Sequence, residues 1–158
     1  MRRMYSLQQL KEVVKNTKGY NFANLVDKDG HSRFIEGNGS PIEQEGAEIT
    51  YCKWSLSGTH LMCVLAGNIS NSTVIANNTT LASFTLPSWV SEKIYPVFAG
   101  NLEIQYINLY ASDWTKQSVG VSFAKLSDGK LRIRSEEALT LTADRGFRIQ
   151  FDLLIDNN

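Results

Sequence analysis

The stretch Phe147-Arg-Ile-Gln-Phe-Asp-Leu-Leu-Ile155 decides the fold, because its apolar residues recur at every second position. Phe147, Ile149 and Phe151 are each separated by one polar residue. Alternate side chains of an extended strand point to opposite faces, so one face of this stretch enters a core and the other meets solvent or a partner. The stretch is therefore predicted to be a half-buried β-strand.

Short apolar runs of the same kind follow one another through the sequence, separated by Gly, Asn, Ser and Asp. Further runs are 49–56, 81–86, 102–109, 119–124 and 131–134, and the run 61–66 is apolar on both faces, which indicates a central strand. Many strands with one apolar face each can bury those faces only by stacking two sheets or by closing a barrel. We predict a mainly β fold, an antiparallel, jelly-roll-like β-sandwich of about nine or ten strands.

The first residues follow a helical period instead. Ser6 and Gln9 form a capping-box pattern, and Gly19 offers a left-handed end. Apolar side chains recur between them at three- and four-residue steps and form the candidate docking stripe Leu7, Leu10, Val13 and Val14. The stripe is predicted to pack on its own sandwich or to dock against another subunit.

Composition favours one globular domain without a strong charge. The 16 basic and 16 acidic residues cancel, so nucleic acid is not an expected partner. No run reaches the roughly 18 apolar residues that a membrane span requires, and no secretory core follows the start, so synthesis in the cytoplasm is expected. Residues 1–158 are predicted to form a single domain, with a helical arm over 1–19 and the sandwich over 20–158.

The two cysteines flank a predicted hairpin. If Ser57 and Gly58 form its two-residue turn, Cys52 lies opposite Cys63 on the neighbouring strand. Such neighbours can be bridged, but two thiols in a reducing compartment are more often small buried hydrophobes. A disulfide and a free, buried pair both remain open.

Motifs for catalysis and for metal binding are missing from the sequence. The two histidines, His31 and His60, lie beside turns without a nucleophile motif or a ligand spacing. Asp27 and Asp29 are spaced as in a calcium loop, but Asn38 stands where that loop requires a bidentate Glu. We predict no catalytic residue, no metal and no cofactor, and we expect the chain not to be an enzyme.

Aromatic residues offer a binding surface instead. The segment from Tyr110 to Gln117 carries two aromatic rings among short polar groups, a mixture that can stack on a sugar ring and hydrogen bond to its hydroxyls. The candidate glycan-binding residues are Tyr110, Asp113 and Trp114. The competing interpretation is that each ring caps the end of the core.

Three phrases carry a resemblance to a known family. They are Leu61-Met-Cys-Val-Leu-Ala-Gly-Asn-Ile69, Leu81-Ala-Ser-Phe-Thr-Leu-Pro-Ser-Trp-Val90 and Ala143-Asp-Arg-Gly-Phe-Arg-Ile-Gln-Phe151. Together with the order helix, then strands, they resemble tail-tip, baseplate and receptor-binding proteins of long-tailed phages of Gram-positive bacteria. The sandwich domains (shoulder and head) of lactococcal phage receptor-binding proteins and small tail-region proteins of Bacillus siphophages are the nearest in pattern.

That resemblance implies an N-terminal helix that docks on the tail or baseplate, a β-sandwich, frequent homotrimers and saccharide binding in a separate head domain. The expected partners are other phage tail proteins, further copies of the chain, with a trimer suspected, and a host cell-wall saccharide. A chain of 158 residues is too short for shoulder, neck and head together. We therefore expect a virion component with a possible role in host adsorption, and the alternative is a carbohydrate-binding module for host cell-wall glycans.

Overall fold

The structure is a computed structural model that describes residues 6–8, 25–94, 97–110, 114–125 and 128–155. Ten strands and one short helix follow one another among the described residues from Phe34 to Leu154. They are β1 (Phe34–Pro41), β2 (Ala47–Ser57), β3 (His60–Ile69), β4 (Thr73–Ile75), β5 (Thr80–Thr85), α1 (Ser88–Ser91), β6 (Val97–Asn108), β7 (Trp114–Lys125), β8 (Lys130–Ser135), β9 (Leu139–Leu141) and β10 (Arg145–Leu154).

Eight strands form one closed antiparallel barrel in the order β1-β2-β3-β10-β6-β7-β8-β5. β1 closes it because its two parts pair with different neighbours: Phe34 to Asn38 lie against β2, and Gly39 to Pro41 lie against β5. The predicted two-layer sandwich is therefore wrong. Alternation specifies only that each strand has one buried face, and a sheet closed on itself meets that condition as well as two stacked sheets do.

The barrel interior is filled by large side chains that lie opposite small residues. A Cβ atom on Gly37 would lie 2.6 Å from the Trp54 ring nitrogen, and one on Gly39 would lie 2.5 Å from the Phe84 ring. Trp54 and Phe84 are both buried in the core. The two glycines leave space for these large rings, and β1 continues past them to Pro41.

Separate pieces of chain cover the two ends of the barrel. At the upper end, defined here as the end where β6 turns into β7, β4 and β9 form a two-stranded sheet. Leu139 and Leu141 of this sheet are buried beside Leu65 and Ile149 of the barrel. At the lower end, α1 follows β5 and buries Val90 completely.

The turn of the β2–β3 hairpin lies one residue further along the chain than predicted, which shifts every cross-strand partner by two positions. Its turn residues are Gly58 and Thr59, and Gly58 has a φ of +65°. Cys63 consequently pairs with Trp54, and Cys52 pairs with Leu65. Both thiols are free, and burial raises the pKa of Cys52 to about 11 and also raises the pKa of Cys63.

Little of the predicted N-terminal helix falls within the described residues. Leu7 and Gln8 are helical, and the Leu7 side chain is 64% exposed. Leu10, Val13 and Val14 lie outside the described residues, so the docking stripe stays a prediction. No helix in the described part of the chain is long and apolar enough to cross a membrane.

Candidate functional site

Two of the three predicted glycan-binding residues lie exposed at the β6–β7 end of the barrel. Tyr110 is 83% exposed and Trp114 is 61% exposed. The Tyr110 backbone N–H donates to the Asn108 side-chain oxygen over 3.0 Å, and Trp114 pairs with Ile107 across the hairpin. These two rings, called the tip aromatics below, do not cap the core. Asp113 lies outside the described residues.

A polar groove, called the rim groove below, lies at the same end of the barrel, between the β6–β7 hairpin and β9. Its volume is about 280 Å³. It is lined by Tyr106, Thr115, Lys116, Gln117, Thr140, Thr142 and Arg145. Hydroxyl, amide and cationic groups thus line it, and none of its lining side chains is acidic.

The alternation of β6 and β7 places these polar groups at the barrel mouth. Val119 and Val121 on β7 are buried, and Thr115 and Gln117 continue the same inward-facing series toward the hairpin. On β6, Tyr106 continues the series of the buried Ile104. Side chains that would be core residues further down the barrel are therefore polar where they meet the rim groove.

The Tyr106 hydroxyl is an exception to the usual pairing of buried polar groups. The residue is 5% exposed and lines the rim groove, yet its hydroxyl has no hydrogen-bond partner among the described residues. Burial raises the pKa of this hydroxyl, and the positive charge of Arg145 partly opposes the shift. Tyr106 therefore stays a protonated donor at neutral pH, and a buried donor without a partner is rare in folded proteins.

Arg145 gives the rim groove its positive charge, whereas Lys116 extends from the outer face of β7. The Arg145 Nη1 donates to the Thr115 hydroxyl over 3.1 Å, and Arg145 forms no ion pair within the described residues. Lys116 Nζ lies 2.9 Å from Glu103 Oε1, and this hydrogen bond lowers the pKa of Glu103. The positive charge of Lys116 is thus partly compensated, whereas that of Arg145 is available to a ligand.

The tip aromatics and the rim groove use opposite faces of one hairpin. Thr115 and Gln117 point to the inner face, so Trp114, which precedes them, points to the outer face. The predicted stacking surface is thus beside the rim groove and not inside it. A ligand that contacts both must cross the upper edge of the barrel.

A second polar cluster lies at the lower end. Asp27, Asp29 and His31 hold ligand-type atoms within 4.8 Å of one another. The Asp27 Oδ1 accepts from the backbone N–H groups of Asp29 and His31, and its Oδ2 lies 3.0 Å from His31 Nδ1 and 3.8 Å from Lys93 Nζ. The carboxylate oxygens are thus already used by the turn, which makes this cluster a structural feature of the 25–33 hairpin.

The histidine of this cluster is packed against α1. The His31 ring is stacked on Trp89 with centroids 4.5 Å apart and planes at 5°. The Asp27 side chain is almost completely buried. Burial opposes ionisation of Asp27, but the hydrogen bonds from His31 and Asp29 hold its pKa below the ordinary value. These contacts hold the 25–33 hairpin against α1 at the lower end of the barrel, with His31 between Asp27 and Trp89.

Comparison with known proteins finds five structurally similar chains, two of which are described here. No family model and no curated protein sequence matches this chain. It is similar in structure to a fragment of avian reovirus sigmaC, with 8% identity and a TM-score of 0.39 over 77% of this chain and 60% of that one. It is also similar to a reovirus attachment protein sigma1 in complex with alpha-2,3-sialyllactose, with 11% identity and a TM-score of 0.40 over 100% of this chain and 79% of that one. At these scores neither similarity assigns a function or a ligand to this chain.

Sequence reasoning missed the rim groove although one signal was present. In β7 the inward positions change from Val121 and Val119 to Gln117 and Thr115, and such a change marks the place where a strand leaves the core. No comparable signal in the sequence indicated that Thr140 and Arg145 also line the groove. Their contribution depends on β9 folding over the upper end, which is a long-range contact.

Proposed function

We propose that this chain is a non-enzymatic attachment protein of a phage virion, located at the tail tip or baseplate, that contacts a host cell-wall saccharide through the upper end of its barrel. The observation that carries the proposal is the exposure of the tip aromatics, 83% for Tyr110 and 61% for Trp114. Large rings exposed beside hydrogen-bonding groups are suited to stacking on the apolar face of a sugar.

The tail location is supported by the sequence resemblance to tail-tip, baseplate and receptor-binding proteins. Residues 25–33 and the start of β1 lie at the lower end of the barrel, because the Gly58 backbone N–H donates to the Arg33 carbonyl beside the β2–β3 turn. The chain therefore enters the barrel at the end opposite to the tip aromatics. This arrangement suits a protein that is held on its N-terminal side and presents its other end to a cell.

A binding role, and not a catalytic one, is supported by the chemistry of the described histidines. His31 is stacked on Trp89 and hydrogen bonded to Asp27 in a closed turn. His60 is exposed at the β2–β3 turn, where it pairs with Ser57 and Leu154. Neither arrangement presents a general base to a cleft.

The saccharide role is tested by binding of the purified full chain to host cell-wall glycans. We expect saturable binding that Trp114→Ala weakens at least about tenfold, since aromatic contacts contribute much of the affinity at such surfaces. Phe34→Ala is the matched control, because Phe34 is 52% exposed at the lower end and its loss should leave binding unchanged. Binding that is absent, or that both variants reduce equally, contradicts the proposal.

The alternative, a monomeric carbohydrate-binding module, is favoured by the same exposed rings. The two functions differ in location, because only an attachment protein is part of the particle. Mass spectrometry of purified virions separates them: a stoichiometric amount of this chain supports the attachment protein. Glycan binding by a chain that is absent from virions supports the module.

A further inference from the structure

We propose that the rim groove is a subsite for an anionic, polyhydroxylated unit, a sugar acid or a polyol phosphate, which Arg145 binds by charge and the Tyr106 hydroxyl by a hydrogen bond. This inference rests on the proposed function and adds the chemical class of its ligand. It concerns the inner face of the β6–β7 hairpin, whereas the proposed stacking surface is on the outer face.

The size and lining of the groove determine the kind of ligand. Its volume of about 280 Å³ lies just below the range of about 300–1,000 Å³ that is typical of sites for drug-sized ligands. A single sugar or polyol unit fits that space. The lining is formed by hydroxyl, amide and cationic groups, which match the hydroxyls of such a unit better than they match an apolar ligand.

The charge of the groove selects for an anion. Arg145 forms no ion pair among the described residues and donates only to the Thr115 hydroxyl. A guanidinium group presents several donors in a plane, which is the geometry that carboxylate and phosphate oxygens accept. Lys116 points to the outer face of the hairpin, where Glu103 lies 2.9 Å from it, so the charge of the groove rests on Arg145.

The buried Tyr106 hydroxyl, which has no hydrogen-bond partner among the described residues, distinguishes the groove from an ordinary polar surface. A buried hydroxyl without a partner destabilises the fold, and phenylalanine would fill the same space without that cost. Thr115 is the cross-strand partner of Tyr106, and the Arg145 guanidinium rests on the Thr115 hydroxyl. Arg145 is near enough for its positive charge to act on the Tyr106 hydroxyl, so an anion bound by the guanidinium would also be placed to accept the hydrogen bond of that hydroxyl.

The test is titration of the isotope-labelled full chain with glucuronate and with glycerol 3-phosphate, followed by amide NMR shifts, with glucose as the neutral probe. We expect saturable shifts at Thr115, Gln117 and Arg145 with an acid and weaker ones with glucose. The two acids distinguish a carboxylate ligand from a phosphate ligand. Shifts that are equal for all three probes, or that lie away from the groove, overturn the proposal.

Variants assign the effect to the two side chains. Arg145→Gln and Tyr106→Phe should each weaken acid binding roughly tenfold. Arg148→Gln is the matched control, because Arg148 is exposed on the outer face of the same strand and its loss should change nothing. Tyr106→Phe should also raise the melting temperature, by about 2–4 °C, because it removes an unpaired buried hydroxyl. A Tyr106→Phe protein that is less stable, and that binds the acid as before, contradicts the assignment.

Failure of this inference is distinguishable from failure of the proposed function. If wall glycans bind through Trp114 and Arg145→Gln does not weaken that binding, the attachment role stands and the anionic subsite is overturned. Acids that bind in the groove of a chain that binds no wall glycan support the subsite and contradict the attachment role.

Discussion

Two glycines of β1 show how single residues shape the barrel. Gly37 lies under Trp54, and Gly39 lies under Phe84 and the Cys52 sulfur. Both positions face the interior, where a side chain of any size would compete with these large groups for space. Glycine is therefore needed here for its lack of a Cβ atom, since neither residue has a positive φ.

Gly37→Ala should destabilise the protein by about 1–3 kcal/mol, because an added methyl group in a filled core forces neighbours out of place. Its Cβ would lie 2.6 Å from the Trp54 ring. Gly120→Ala is the control, because its Cβ would lie 3.5 Å from the nearest atom, an ordinary contact. Urea unfolding followed by Trp fluorescence measures both; equal stability of the two variants would contradict this account of the core.

Asp27→Asn should lower stability in a pH-dependent way. The pKa of Asp27 is lower in the folded protein than its ordinary value, so its ionised form stabilises the fold above about pH 4. That contribution is lost as the pH falls through the folded-state pKa. The difference in urea midpoint between the wild type and Asp27→Asn should therefore be largest near neutral pH and shrink in acid.

Asp29→Asn is the control for this measurement, because Asp29 is exposed and contributes its backbone N–H to the cluster. Its urea midpoint should follow the wild type at every pH. A difference between Asp27→Asn and the wild type that stays constant from neutral to acid pH would falsify the role given to the carboxylate.

At the scale of elements, alternation predicted individual strands well but their ends poorly. Phe147 to Ile155 was predicted as a strand, and β10 covers Arg145 to Leu154. The β2–β3 turn was misplaced because Ser57-Gly58 and Gly58-Thr59 are both acceptable turn pairs. A shift of one residue in the turn moves each cross-strand partner by two positions, which separated Cys52 from Cys63.

The candidate site could be predicted only in part for the same reason. Tyr110 and Trp114 were found from local composition, and both are exposed. Tyr106 and Arg145 were not found, because their meeting depends on the pairing of β6 with β10, and Arg145 lies opposite Asn108 in that ladder. Local patterns carry no information about such distant pairs.

The N-terminal element is predicted to dock through its apolar stripe. Glu substitutions at Leu7, Leu10 and Val14 should prevent incorporation of the chain into virions, because a charged side chain is costly to bury in an apolar contact. Lys11→Glu and Lys15→Glu, on the other side of the predicted helix, are the controls. Western blotting of purified particles measures incorporation; particles that contain the stripe variants at the normal level contradict the docking role.

At the scale of the whole molecule, the sequence pattern did not determine whether the strands close into a barrel or stack as two sheets. The interior of an eight-stranded barrel and the space between two sheets require the same apolar side chains. The difference lies in β1, which pairs with β2 over Phe34 to Asn38 and then with β5 over Gly39 to Pro41. Such a division of one strand between two neighbours leaves no trace in its periodicity.

The oligomeric state is the remaining prediction at this scale. The sequence resemblance implies a homotrimer, so light scattering of the purified full chain should give about three times the mass of one chain. Deletion of residues 1–19 tests whether the predicted arm holds the copies together, and the deletion variant should then scatter as a monomer. A full-length chain that scatters as a monomer contradicts the trimer and favours the stand-alone module.

The positions of the two barrel ends have a mechanical consequence. A load applied between the segment before β1 and the hairpin tip at Tyr110 runs roughly along the strands, whereas the ladder hydrogen bonds lie across them. Under such a pull neighbouring strands must slide past each other, so whole rows of bonds share the tension and no single bond gives way first. Under the proposed attachment role, this direction of loading would let the barrel resist shear between particle and cell without any added contact.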